Sequence, residues 1–367
     1  MIGSVTRYFP GGNTPLGYYS FFNEIISWTE QARIFIIKGG PGVGKSTLMK
    51  KIAKQLLDSG ISLEFLHCSA DSNSIDGIIA TEAKIAIFDG TAPHILDPKF
   101  PGCIDEIINL ADHWDRPGIN KNRDQIINLQ TNYSRFYIRA YNYLKAAKIM
   151  HDDLKEIYKT SVDFSSVEQI TNDILKEIFN DVERKPKRSK IRKSFASAIT
   201  PDGFVDYLDL IFAETDKRYI IKGSPGTGKS TLMKRILDNA ILKGLDVDVF
   251  YCSMDPQKIE HILIKDLEIG FITSVKPHML TNQTKKDEII DFNKTIDKNK
   301  LDIFDENLYY NNNMYENLMQ NAIKALNSAK KIHDEIEFLY SSNMDFNKID
   351  KVQEKVLSRI LKIANTR

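Results

Sequence analysis

Gly39-Gly40-Pro41-Gly42-Val43-Gly44-Lys45-Ser46-Thr47 decides the reading of this chain, because the pattern returns as Gly223-Ser224-Pro225-Gly226-Thr227-Gly228-Lys229-Ser230-Thr231. Both stretches match G-x-x-x-x-G-K-[ST] throughout. Each follows an apolar run ending in lysine, Ile34–Lys38 and Tyr219–Lys222, and each leads into a helical pattern opening Ser-Thr-Leu-Met-Lys. The glycines let backbone N–H groups converge on the β- and γ-phosphates of a nucleotide, and the lysine brings a mobile positive charge to them. The serine hydroxyl is placed to ligate Mg²⁺, and the helix N-terminus adds partial positive charge. Both loops are therefore expected to bind a nucleoside triphosphate, with Ser46 and Ser230 as metal ligands. Two glycine-rich turns with incidental lysines are the plainer alternative, and recurrence in one strand–loop–helix setting argues against it.

Self-similarity extends well beyond the loops. At an offset of 184 residues Cys68-Ser69-x-Asp71 falls on Cys252-Ser253-x-Asp255, and Pro93-His94 on Pro277-His278. At 182, Asp105-Glu106-Ile107-Ile108 falls on Asp287-Glu288-Ile289-Ile290, and Ala147-Lys148-x-x-His151-Asp152 on Ala329-Lys330-x-x-His333-Asp334. Upstream, Phe9 and Thr14-Pro15-x-Gly17 echo Phe195 and Thr200-Pro201-x-Gly203. The reading is two homologous units, 1–183 and 194–367, each of ordinary domain size. Between them lies a basic stretch, 184–193, with seven Lys or Arg among its residues. It is read as a solvated linker; contact with nucleic acid or anionic lipid is the weaker alternative, since no aromatic residue interleaves with the charges before Phe195.

Composition sets limits on partners and location. Of 367 residues 42% are hydrophobic and 27% charged, enough apolar content for two cores, and the formal charge is only +1, so no global basic field draws the protein onto nucleic acid. Three scattered cysteines, Cys68, Cys103 and Cys252, suit neither a disulfide framework nor a zinc site. No apolar run has the length of a membrane span, and the first residues lack the charged-then-apolar pattern of a signal peptide, so a cytoplasmic location is expected.

Within each unit, apolar strands alternate with helical segments. In the first, Arg33–Lys38, Ile61–Cys68 and Ile85–Asp89 read as strands, Ser46–Ser59 as a helix, and Ile75–Lys84 as a short helix joining the second and third strands. Ile104–Ala111, Asp124–Tyr158 and Val167–Val182 read as helical, with Asn313–Tyr340 as the long helix of the second unit. The expected fold is α/β: two tandem P-loop NTPase units, each a parallel sheet in a three-layer α/β/α arrangement with a helical subdomain.

The units differ on the third strand. Ala86-Ile87-Phe88-Asp89-Gly90-Thr91 ends in an aspartate suited to hold Mg²⁺, whereas Gly270-Phe271-Ile272-Thr273 does not. The expectation is one hydrolytic site (Lys45, Ser46, Thr47, Asp89) and one binding-biased, regulatory site (Lys229, Ser230, Thr231), with Asp255 a partial substitute at the second. Asp71 is the candidate general base, against the plainer reading of a turn or helix cap. His94 and His278 are candidate phosphate sensors or structural histidines. His151 and His333 are read as helix-interface or surface residues, and Arg123, Arg135 and Arg139 as candidate transition-state arginines.

The loops resemble those of AAA-type and related P-loop ATPases. The wider pattern, F-x₄-T-P-x-G, Cys-Ser-x-Asp and Phe88-Asp89-Gly90-Thr91-Ala92-Pro93-His94, resembles a family of tandemly duplicated P-loop ATP-binding proteins of low-GC bacteria, over essentially the whole chain. That resemblance implies ATP and Mg²⁺ as ligands, and it brings no acceptor, protein partner or ring assembly with it. The second unit departs from the family pattern at Thr273, which puts its hydrolysis in question. A P-loop kinase acting on a small molecule and a non-hydrolysing, nucleotide-gated interaction protein are the alternative functions.

Overall fold

The computed structural model describes residues 3–280 and 284–365; Met1 and Ile2, part of the amino-terminal stretch read above, lie outside the described residues. The first half contributes β1 (Val5–Tyr8), β2 (Gly11–Thr14), β3 (Gly17–Ser20), β4 (Arg33–Lys38), β5 (Leu63–His67), β6 (Ile75–Ala80), β7 (Ile85–Asp89) and β8 (Asp105–Asn109). Its helices are α1 (Phe22–Ile25), α2 (Lys45–Asp58), α3 (Arg116–Lys121), α4 (Arg123–Lys159) and α5 (Phe164–Phe179). The second half contributes β9 (Ile191–Ser194), β10 (Ser197–Thr200), β11 (Gly203–Asp206), β12 (Lys217–Lys222), β13 (Val247–Cys252), β14 (Asp255–Ile264), β15 (Ile269–Thr273) and β16 (Asp287–Asp291). Its helices are α6 (Leu208–Ile211), α7 (Lys229–Leu242), α8 (Asp305–Ser341) and α9 (Phe346–Asn365). Among the described residues no helix is long and apolar enough to cross a membrane.

Each half builds a six-stranded sheet, ordered β1-β5-β6-β7-β4-β8 and β9-β13-β14-β15-β12-β16. The expected parallel sheets are in fact mixed. β6 runs antiparallel to β5 and β7, as β14 does to β13 and β15, while the other neighbours are parallel. The segment read as a helix from Ile75 is strand β6. Connection length explains this: Cys68–Ser74 is shorter than the roughly dozen residues a parallel crossover needs. Asp71 closes the connection as a turn by accepting the Asn73 N–H at 3.1 Å. Ile104–Ala111, also read as helical, contains strand β8 beside β4. Isoleucine spacing over so short a run suits either element. Asp105 settles the matter, because its buried carboxylate accepts the N–H groups of Lys99 and Phe100, both at 2.9 Å.

The sheets exchange their covering helices. Val167, Ile174, Ile178 and Phe179 of α5 pack with α7 and the second sheet, in one core with Tyr219, Leu232 and Phe271. Conversely, Ile349, Val356, Leu357 and Ile360 of α9 complete the core of the first sheet with Phe35, Leu48 and Ile87. Full burial of such a side chain contributes about 1.5–3 kcal/mol, so each sheet draws several kcal/mol from the opposite half. Asp163 fixes the entry of α5 by accepting the N–H groups of Ser165 and Ser166. Between the exchanged helices, α4 and α8, 37 residues each, run antiparallel as one shared pair about 55 Å long. Small residues, Ala140 and Ala147 of α4 with Ala322 and Ala325 of α8, share their common core.

The opposite faces of the sheets share one core, in which Ile34, Ile36 and Phe88 meet Ile220, Phe250 and Ile272. This core is padded by the short α1 and α6 in place of the separate helical layers expected there. On the same axis Phe9 and Phe195 exchange both backbone hydrogen bonds at 2.9 Å. The Thr-Pro-x-Gly motifs form the turns of hairpins β2–β3 and β10–β11: Thr14 Oγ1 donates to Gly17 O, and Thr200 Oγ1 to Gly203 O. The basic stretch is no free spacer. Lys185 pairs with Asp266, Lys187 with Asp246 and Lys190 with Glu30, and Arg192 lies in β9, where it pairs with Glu64. Those contacts consume four of its seven cations.

Candidate functional site

The first glycine loop runs from the end of β4 into α2, with Gly42 and Gly44 at φ 70° and 85°. That left-handed conformation costs an L-residue about 1–2 kcal/mol. A Cβ on Gly42 would also stand 2.4 Å from Glu337 O, so the sequence has no freedom there. Lys45 Nζ donates to Gly39 O and Gly40 O at 2.8 and 2.7 Å, and lies 3.6 Å from Asp89 Oδ2. Parallel pairing of β4 with β7 sets Asp89 directly opposite Ile37, two residues before the loop. Lys45 and Asp89, expected in one site from the sequence, are neighbours in space. The Thr91 N–H and hydroxyl both donate to Asp89 Oδ1, which leaves Oδ2 facing the lysine. Burial holds the Asp89 carboxyl above its ordinary pKa, against the pull of Lys45 and His94. Ser46 Oγ accepts the Ile75 N–H at 3.2 Å, which ties the loop to β6; Val43 is buried and Thr47 exposed.

Asp76 is the residue that sequence reasoning missed. It sits on β6, in the segment read as a helix, and is buried beside His94, whose Nε2 lies 3.4 Å from Asp76 Oδ1. His94 Nδ1 bonds to the Tyr18 hydroxyl at 2.9 Å, and its ring stacks on Phe22. Burial pulls the His94 pKa down, but Asp76 and Asp89 outweigh it and hold it above the usual histidine value. Asp76, Asp89 and His94 present ligand atoms within 4.8 Å of one another. The pairing of a motif histidine with an aspartate two positions after Ser74 is visible only once β6 is known to be a strand.

Asp71 stands elsewhere. Its oxygens accept from Asn73 N and Ser74 Oγ, and Oδ2 lies 3.6 Å from Lys330 of α8. Asp255 mirrors it, 3.7 Å from Lys148 of α4, rather than standing in for the missing aspartate beside Lys229. Each Cys-Ser-x-Asp motif therefore ends in a latch to the other half's long helix. Arg123 and Arg135 bond to Asp124 and Asn132, and Arg139 is exposed, so all three lie on the solvent side of α4.

The second loop has the same backbone, with Gly226 and Gly228 at φ 82° and 97° and Lys229 Nζ donating to Gly223 O and Ser224 O. Thr227 is buried and donates to Ser224 O. Thr273 holds the place of Asp89, and Glu260 that of Asp76, with Glu260 Oε2 3.7 Å from His278 Nε2. Burial, reinforced by Lys258 and partly opposed by Glu260, brings the Lys229 pKa down to about 7. Both loops are covered from the opposite half. Gly40 lies against Tyr340 and Gly44 against Phe346, while Gly226 meets Lys155 O and Gly228 meets Val167. His151, expected at a helix interface or surface, is pushed down to a pKa of about 4 by burial and by Lys258, and Lys229 is also among its charged neighbours.

No match is found among curated proteins, and none among solved structures. A family model described as Novel STAND NTPase 3 matches residues 19–91, the stretch that carries β4, the first glycine loop, α2, Asp76 and Asp89. That stretch of the chain is similar to an NTPase domain.

Proposed function

We propose that this chain is an ATP-binding protein with two nucleotide-binding units, 1–183 and 194–367, that hydrolyses ATP at the first glycine loop and uses the second as a regulatory nucleotide site. The observation that carries the division is the pairing of Lys45 with Asp89, set against a buried Lys229 beside whose loop Thr273 takes the register position of Asp89. Residues 39–47 would cradle the phosphates through backbone N–H groups, with Lys45 neutralising charge that develops on the γ-phosphate. The Ser46 hydroxyl and the Asp89 carboxylate form the hard-oxygen donor set that Mg²⁺ takes; when bound, the ion supplies further neutralisation between β- and γ-phosphates. Trp114 and Tyr340, which flank Gly40, narrow the access of bulk water to the loop.

A second reading, the nucleotide-gated interaction protein, is favoured by the exchange of helices. A nucleotide at either loop would press on the end of α4 or α8, the longest helices among the described residues. Phosphate release measured on Lys45→Ala and Lys229→Ala separately decides between the readings. Near-total loss in the first and a partial change in the second is expected. Equal loss in both ends the division of labour, and release at background in the unmodified chain, with ATP still bound, favours the gate.

A further inference from the structure

The trio Asp76, Asp89 and His94 has a use beyond assisting a nucleotide-borne magnesium. All three residues are buried, with the side chains of His94 and Asp76 5% and 6% exposed and that of Asp89 13%, and their donor atoms lie within 4.8 Å of one another. His94 Nε2 and Asp76 Oδ1 are 3.4 Å apart, close to the about 3.4 Å separating two ligands held tetrahedrally at about 2.1 Å from one ion. Asp89 Oδ1 accepts from Thr91, and Oδ2 lies 3.6 Å from Lys45 Nζ. The Tyr18 hydroxyl occupies His94 Nδ1 at 2.9 Å, the outer contact that fixes ring orientation and leaves Nε2 to the metal.

The second half is the internal control. There the carboxylate and histidine persist as Glu260 and His278, but Asp89 has become Thr273 and Tyr18 has become Phe204, whose ring meets His278 edge-on. His278 Nδ1 is buried without a hydrogen-bond partner among the described residues. One ligand and the contact that orients another are thus missing together from the same half.

We infer that Asp76, Asp89 and His94 form a binding site for one first-row divalent cation that accepts imidazole nitrogen, in the Mn²⁺-to-Zn²⁺ series, beside Lys45 and independent of bound nucleotide. A histidine with two carboxylates is a three-ligand set with a coordination position left for water or a phosphate oxygen. The site shares Asp89 with the proposed ATPase centre, yet its occupancy is measurable with no ATP present.

Co²⁺ is the probe, added to the full chain without nucleotide and followed by visible absorption and calorimetry. One equivalent should bind with the spectrum of a four- or five-coordinate ion, and millimolar Mg²⁺ should not displace it. His94→Ala should weaken binding by more than about 100-fold, and Tyr18→Phe by about 10- to 100-fold, the usual loss of an outer-shell partner. Lys45→Ala should bind Co²⁺ as well as or better than the parent, since a competing cation is removed. That separates the metal site from the phosphate loop, because ATP hydrolysis can fail in this variant while the metal stays. Circular dichroism on each variant guards against unfolding, and the conservative Tyr18→Phe carries the test if His94→Ala does not fold. Absence of Co²⁺ binding by the folded parent overturns the inference. So does binding that survives His94→Ala, or displacement by equimolar Mg²⁺, the mark of an oxygen-only site.

Discussion

The two glycine loops share a backbone and differ in the charges around it. At the first, the partly buried Lys45 lies 3.6 Å from the buried Asp89 on the neighbouring strand, and an aspartate–histidine pair stands behind it. At the second, Thr273 offers no charge, Lys229 is driven toward neutrality and the nearest carboxylate, Glu260, is drawn toward histidines. The glycine geometry needed to surround an anion survives in either charge setting, because it depends on φ angles and close contacts alone. The charges do not survive, because one substitution on a neighbouring strand removes the counter-ion. Loop geometry and the charge beside it are therefore separable features, and this chain holds both arrangements.

The sharpest way to break that contrast is to make the first site resemble the second. Asp89→Asn keeps shape and hydrogen bonding to Thr91 but removes the charge. ATP hydrolysis should fall by about 10²–10³-fold, the range seen when one preorganised electrostatic contact is lost, while nucleotide binding persists. Unchanged turnover in that variant would leave Asp89 a turn residue.

A smaller effect is expected from pH at the second loop, isolated in a Lys45→Ala background. With a pKa near 7, Lys229 is charged below that value and neutral above it. Anion affinity should be full near pH 6 and should fall by up to about tenfold per unit above 7, until Lys229 no longer contributes. The neighbouring groups do not mimic this: His151 is neutral throughout, since its pKa lies at about 4, and Glu260, held below its ordinary value, stays ionised. A flat affinity between pH 6 and 8, followed by fluorescence titration, would show that Lys229 keeps its charge.

The mildest test concerns which half each helix serves. Ile360→Val trims one methylene from α9 in the first core and should cost about 0.5–1.5 kcal/mol. Hydrogen exchange should quicken in β4 and β7, far away in the chain, and not in β12 and β15. The reverse pattern would contradict the exchange of helices.

Much of the site was legible in one dimension. The glycine loops announce themselves because their chemistry is local: φ angles, a lysine and a helix N-terminus lie within nine consecutive residues. Asp89 was legible for a related reason, since a carboxylate closing an apolar run marks the end of a buried strand. Asp76 was not. Its apolar neighbours suit either a helix or a strand, and only the short connection from β5 makes it a strand pointing at His94. Asp71 was assigned to chemistry because strand ends converge on the phosphates, whereas its oxygens close a turn and face Lys330.

Sequence alone determined what is decided by near neighbours: two glycine loops of one pattern, the internal echo between halves and the threonine at 273 where the first half has Asp89. Tertiary structure alone decided which segments meet: β6 against β5, Asp76 against His94, and α5 and α9 across to the opposite sheets. The reason is physical. Backbone strain and helix-end charge are set within a few residues. A core only requires apolar surface of the right shape, and here either half can supply it.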